Sequence, residues 1–145
     1  MHIARFIVLS LLMAVAGTAA AQDTVNRATL YKDAYCTCCT EYAKYLEQNG
    51  YRVRVVIMDD MQPVKRKNRI PKPFESCHTT LIGDYVVEGH VPVAAIKKLL
   101  AERPVIKGIS VPGMPAGSPG MTGEKTEPLT VYEIDPEKAK VFLTE

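Results

Sequence analysis

Three cysteines fall within four residues at Cys36-Thr37-Cys38-Cys39, and a fourth, Cys77, recurs far along the chain with His78 directly after it. A thiolate is the nucleophile of disulfide exchange and also a soft ligand for copper or zinc. The Cys36-x-x-Cys39 spacing alone therefore serves either chemistry. Near a helix N-terminus, free backbone N–H groups and the helix dipole favour the thiolate form of such a pair. Four thiols and an imidazole gathered in one pocket suit a thiophilic ion such as Cu(I) better than simple dithiol exchange. Three cysteines this close cannot all reach one small ion from an undistorted helix, so the pattern accommodates bridging thiolates and more than one metal. Two structural disulfides are the plain alternative, although adjacent Cys38 and Cys39 are awkward to pair with each other or with two distant partners. A structural zinc site fits less well, because the ligands do not form two Cys-x-x-Cys pairs.

Other soft or borderline donors lie nearby in type. His90, in Glu88-Gly89-His90, precedes a helix start, where loop hydrogen bonding and metal contact are both open. Met114 and Met121 sit in a Gly/Pro-rich stretch that has no core to fill, and thioethers there are able to cap a Cu(I) site or deliver the ion. Met58 reads as core and Met61 as surface or helix packing. The basic run Lys65-Arg66-Lys67 with Arg69 reads as a solvated helix face.

The elements that must position these groups come in a mixed order. A short strand is expected over 28–31, followed by a turn over 32–35. Tyr42, Ala43 and Leu46 repeat at helical spacing and predict a helix over 40–49, with Asn49-Gly50 as its stop. Residues 52–58 alternate, with Val53, Val55 and Ile57 on one face, and predict a strand. Asp59 and Asp60 can cap a short basic helix over 61–68, after which Pro71 and Pro73 force an extended approach to Cys77. Two β-rich runs, 79–82 and 85–88, flank Gly83-Asp84 and predict a tight hairpin. A helix follows over 93–102, its buried stripe made by Ala95, Ile96, Leu99 and Leu100. The stretch 108–127 is rich in Gly and Pro and is expected to be a long loop. A strand over 131–134 and a terminal helical turn from Pro136 complete the chain.

Strand, helix, strand, helix, hairpin, helix is the order of a thioredoxin-like α/β domain. Such a domain has a central mixed sheet flanked by helices, here with a long Gly/Pro-rich C-terminal loop. In that architecture the first strand feeds the cysteine-bearing loop, and the loop entering the hairpin lies against it. The second loop normally ends in a cis-proline; here Cys77-His78-Thr79 occupies the place. A thiol and an imidazole thus replace the residue that usually keeps metals away, and Cys36, Cys38, Cys39 and Cys77 are expected to converge with His78 alongside.

The whole chain has 145 residues, 47% of them hydrophobic and 23% charged, enough for one compact domain. That composition excludes collagen, a disordered chain and a disulfide-dense mini-protein. A formal net charge of +2 gives nucleic-acid binding no support. Residues 1–21 read as a signal peptide, with Arg5 before an apolar run and Gly17-Thr18-Ala19-Ala20-Ala21 as the cleavage region. The apolar run is shorter than the roughly 20 residues a spanning helix needs, so no membrane span is expected in the mature chain, 22–145. Export would place that chain in the oxidising periplasm, where free thiols persist only if something uses or protects them.

Four motifs in order carry a resemblance. Cys36-Thr37-Cys38-Cys39, Ser76-Cys77-His78-Thr79, Glu88-Gly89-His90-Val91-Pro92, and Val111-Pro112-Gly113-Met114-Pro115 with Gly117-Ser118-Pro119-Gly120-Met121 resemble the CopG family of periplasmic copper-resistance proteins. The resemblance implies a thioredoxin-like fold whose cysteines hold a multinuclear copper cluster. It also implies oxidoreductase chemistry that interconverts Cu(I) and Cu(II) during copper detoxification. By position, Cys36, Cys38, Cys39 and Cys77 would be the cluster thiolates, with His78, His90, Met114 and Met121 as lesser candidates. Copper ions would be the partners, together with periplasmic copper chaperone or efflux components. Tyr42 stands where the family often has tryptophan, a change of helix packing more than of metal binding. Two other functions remain compatible with the residues: a metal-independent thiol–disulfide oxidoreductase using Cys36 and Cys39, and a non-catalytic copper carrier or store.

Overall fold

The structure, a computed structural model, describes residues 26–145; the expected signal peptide lies outside them. Strand β1 (Arg27–Asp33) buries Ala28, Leu30 and Lys32 on one face and leads into a turn closed by Cys36 N–H donating to the Asp33 carbonyl. Helix α1 (Thr37–Gln48) starts three residues earlier than the apolar spacing predicts, so the cysteines occupy its first turn with Cys36 as the N-cap. Its buried face is Cys39, Tyr42, Ala43 and Leu46, the 3–4 spacing of an amphipathic helix. It ends at Asn49, and Gly50 adopts the left-handed φ of +89° that closes many helices.

Strand β2 (Arg52–Met58) has the expected bounds and runs parallel to β1, with α1 as the crossover. Its expected apolar face is only partly buried: Val55 is 43% and Ile57 54% exposed. The reason is position, since β2 is an edge strand of the sheet among the described residues. Helix α2 (Gln62–Lys67) has Met61 at its N-cap, where a capping Asp was expected; Asp60 Oδ1 instead accepts from the Gln62 N–H at 2.8 Å in the turn that leads into it. A 3-10 turn (Lys72–Phe74) then delivers the chain to the hairpin of β3 (His78–Ile82) and β4 (Tyr85–Glu88). Helix α3 (Val93–Glu102) follows and stops at Arg103, left-handed just before Pro104.

The C-terminal part departs from expectation twice. Gly108–Ser110, assigned by composition to the loop, is strand β5 and pairs parallel with β4. Glycine is required at its start, because a side chain at Gly108 would collide with the Val86 backbone. The terminal helical turn is absent among the described residues; after β6 (Thr130–Glu133) the chain forms β7 (Lys140–Thr144), antiparallel to β6. Strand-forming Val141, Phe142 and Leu143 outweigh the start signal of Pro136, and the Lys98 ammonium sits 4.2 Å above the Phe142 ring.

The described strands form one mixed seven-stranded sheet in the order β2-β1-β3-β4-β5-β6-β7. Its first four strands with α1 to α3 have thioredoxin-like connectivity, and β5 to β7 extend one side. The main core joins Leu30, Leu46, Ile82, Val87, Ile96, Leu99, Ile109 and Val131, each fully buried. Burial of one such side chain is worth ~1.5–3 kcal/mol, and this core underlies the frame that holds the cysteine turn.

Candidate metal centre

Adjacency of β1 and β3 creates the site. The two strands pair antiparallel with Lys32 opposite His78, so the end of β1 that opens into Cys36 lies beside the start of β3 that carries Cys77. The sulfurs of Cys36, Cys38, Cys39 and Cys77 lie within 4.8 Å of one another. Cys36 and Cys39 form a disulfide with their Cα atoms 5.4 Å apart, while Cys38 and Cys77 are free thiols. The Cys38 sulfur stands 3.5 Å from that of Cys36.

Cys77 also belongs to a second group. Its sulfur is 3.3 Å from His78 Nδ1 and 3.1 Å from His90 Nε2, and one donor atom from each of the three residues lies within 4.8 Å of the others. His90 Nδ1 lies 2.7 Å from the Pro119 carbonyl, which can only accept, so Nδ1 carries the proton and Nε2 presents its lone pair to Cys77. His90 thus makes a loop hydrogen bond with one nitrogen and faces the thiol with the other. His78 is fully buried, and its Nε2 has no hydrogen-bond partner among the described residues.

Burial disfavours charge on Cys77 and on both imidazoles. Burial, and secondarily the neighbouring His90 and Lys65, hold the His78 imidazole well below its ordinary titration range. Burial also lowers His90, opposed by its bond to Pro119. The Cys77 thiol is pushed up to about 12, first by burial and then by Cys38. Both imidazoles would meet a cation as neutral donors, whereas Cys77 would have to give up its proton to ligate one.

Two further features enclose the sulfurs. Tyr42, fully buried, donates its hydroxyl to the Val91 carbonyl at 2.8 Å and sets its ring 4.5 Å from that of His78 and 5.6 Å from that of His90. The long loop between β5 and β6 folds over the first turn of α1. Gly120, at a left-handed φ of +81°, approaches so closely that a Cβ there would lie 2.6 Å from the Tyr42 nitrogen and 2.9 Å from the Cys38 carbonyl. Met121 follows it and is half-buried, while Met114 is 56% exposed.

Sequence reasoning missed what lies behind Cys77. Lys65, expected on a solvated face, is buried and ion-paired with the fully buried Glu88. Glu88 Oε1 also accepts from the Ser76 N–H at 2.8 Å, and Oε2 from the Thr79 hydroxyl at 2.6 Å, while Lys65 donates to the Ser76 carbonyl at 2.8 Å. Both backbone polar groups of the residue preceding Cys77 are therefore held by one buried ion pair. The available signal was Glu88 itself, a carboxylate ending a strand of buried Val86 and Val87, which requires a cation. Ser76 further donates its hydroxyl to the Gly113 carbonyl, tying the long loop to the same segment.

The arrangement is equipped for two chemistries, coordination of a soft cation and thiol–disulfide exchange. No described helix is long and apolar enough to cross a membrane. Residues 74–121 match a family model described as a protein of unknown function, DUF411. No curated protein matches the chain. Two solved structures are similar, titled copper resistance protein CopG, Form 2 and Form 1. Each is 40% identical with a TM-score of 0.75 and covers 82% of this chain; the match takes in 97% and 96% of their own chains. With that identity over nearly the whole length of those chains, this chain, whose cysteine-bearing turn sits in a thioredoxin-like frame, belongs to the CopG copper-resistance protein family.

Proposed function

We propose that the mature chain, 22–145, is a periplasmic protein that binds copper at a thiolate-bridged multinuclear site and interconverts Cu(I) and Cu(II). One observation carries the reading: Cys77 shares its sulfur between a group of four sulfurs and a group with two imidazoles. Thiolates select Cu(I) and imidazole serves Cu(II) as well, so the donor set fits a copper substrate in both oxidation states. His78 Nδ1 and His90 Nε2 are the ring nitrogens beside the Cys77 sulfur, at 3.3 and 3.1 Å. Cys36, Cys38, Cys39 and Cys77, once reduced, would supply the thiolates, with His78 and His90 as nitrogen donors and Met121 and Met114 as thioethers from the covering loop. A periplasmic copper chaperone or efflux component would deliver or receive the ion.

The test is Cu(I) uptake by fully reduced, metal-free protein. More than one ion per chain is expected, and Cys38→Ser lowers the number; absence of uptake overturns the reading. Electron paramagnetic resonance during a redox titration then separates conversion from storage, since a carrier leaves copper in one oxidation state. The Cys36–Cys39 disulfide favours a second reading, metal-independent thiol–disulfide exchange. That reading requires insulin reduction by metal-free protein, abolished by Cys36→Ser and indifferent to Cys77→Ser.

A further inference from the structure

The disulfide divides the donor set in a particular way. Cys36 and Cys39 are consumed, yet the donors left over are contiguous. Cys38 lies 3.5 Å from the Cys36 sulfur, Cys77 lies within the same 4.8 Å cluster, and Cys77 touches both imidazoles. Of the two bonded cysteines, Cys36 is partly exposed at the helix N-cap and Cys39 is fully buried.

Resting on the copper-binding reading, we propose that Cys36 and Cys39 are the electron source of the site. As a dithiol they reduce two Cu(II) ions to Cu(I) and close to the disulfide, leaving the product against Cys38, Cys77, His78 and His90. The step balances: each sulfur gives one electron to one Cu(II), the S–S bond forms, and the two thiol protons leave to solvent. A two-electron thiol couple beside the metal thereby serves two one-electron acceptors. Reopening requires a dithiol reductant. Its thiolate attacks the partly exposed Cys36 sulfur, Cys39 leaves as a thiolate and takes a proton, and the reductant's second thiol releases Cys36 by closing its own disulfide. The same division makes copper capacity depend on oxidation, because four sulfurs are available in the dithiol state and two in the disulfide state.

The experiment adds two Cu(II) per chain to anaerobic, reduced, metal-free protein. Cu(I) is counted with a chromogenic chelator, remaining thiols are counted, and the new linkage is located by alkylation and peptide mass mapping. Two Cu(I) formed for two thiols lost, with the linkage at Cys36–Cys39, is the expected result. A linkage at Cys38 or Cys77 in the wild type, or Cu(I) formed without thiol loss, overturns the inference. In a second arm, Cu(I) is offered to the reduced and to the disulfide form. Fewer ions in the disulfide form supports the inference and equal numbers overturn it, whereas no uptake by the reduced form removes the copper reading itself. The mapping is done on wild-type protein, so misfolding of a cysteine variant does not obscure the answer.

Discussion

Replacing Glu88 by Gln probes how firmly the Cys77 segment is held. The substitution keeps the side chain's size and one acceptor for the Ser76 N–H, and the Thr79 hydroxyl can turn to accept from the new amide. What it removes is the carboxylate charge paired with the Lys65 ammonium, where both side chains are almost wholly buried (4% and 0% exposed). Breaking a buried pair at one partner costs roughly 3–5 kcal/mol, because the remaining charge is stranded. At about 2–4 °C per kcal/mol for a domain of this size, the reduced metal-free protein should melt on the order of 10 °C lower. The companion variant Lys65→Met with Glu88→Leu strands no charge and should recover at least half of the loss. Circular dichroism melts of both variants and the two single changes form a double-mutant cycle. If Glu88→Gln costs less than about 1 kcal/mol, within the range of an exposed pair, the argument that this pair anchors the residue before Cys77 is wrong.

Two other outcomes follow from the same geometry. His78 and His90 are both lowered by burial, so unfolded chains take up protons that the folded metal-free chain refuses. Stability supplied by these neutral rings is complete above the unfolded histidine value of about 6.5 and is lost as pH falls below it. Melting temperature should therefore drop between about pH 7 and 5, and His78→Leu should flatten that dependence; an unchanged slope refutes the assignment. Gly120→Ala places a methyl against the Tyr42 nitrogen and the Cys38 carbonyl at a left-handed φ. Such strain costs about 1–3 kcal/mol, which should lift the loop and raise the alkylation rate of Cys38, measured against free cysteine.

What the sequence made legible was whatever local patterning decides. The alternation of β2, the Gly83-Asp84 hairpin and the apolar stripe of α3 specified these elements to within a residue or so. The meeting of Cys36, Cys38, Cys39 and Cys77 was legible too, because the order of elements places β1 beside β3. The early start of α1 was not, since its N-cap is a cysteine that makes no capping bond and leaves no start signal. Strand β5 is three residues long and owes its conformation to β4 rather than to its own composition. The burial of Lys65 was hidden because helical periodicity cannot show that a carboxylate from another strand waits beneath. The two roles of His90 depend on a carbonyl in the long loop, which no spacing rule connects to it.

Among the described residues, strand β2 leaves one border of the sheet without a neighbour, and it does so with Val55 and Ile57 in water. Such a border invites another chain to continue the ladder. Arg52 and Arg54, both exposed, lie along the same rim. Arg54, exposed on each rim, sets like charge against like charge when two copies approach edge to edge. The rim is thereby a poorer template for a second copy than its valine and isoleucine alone would make it.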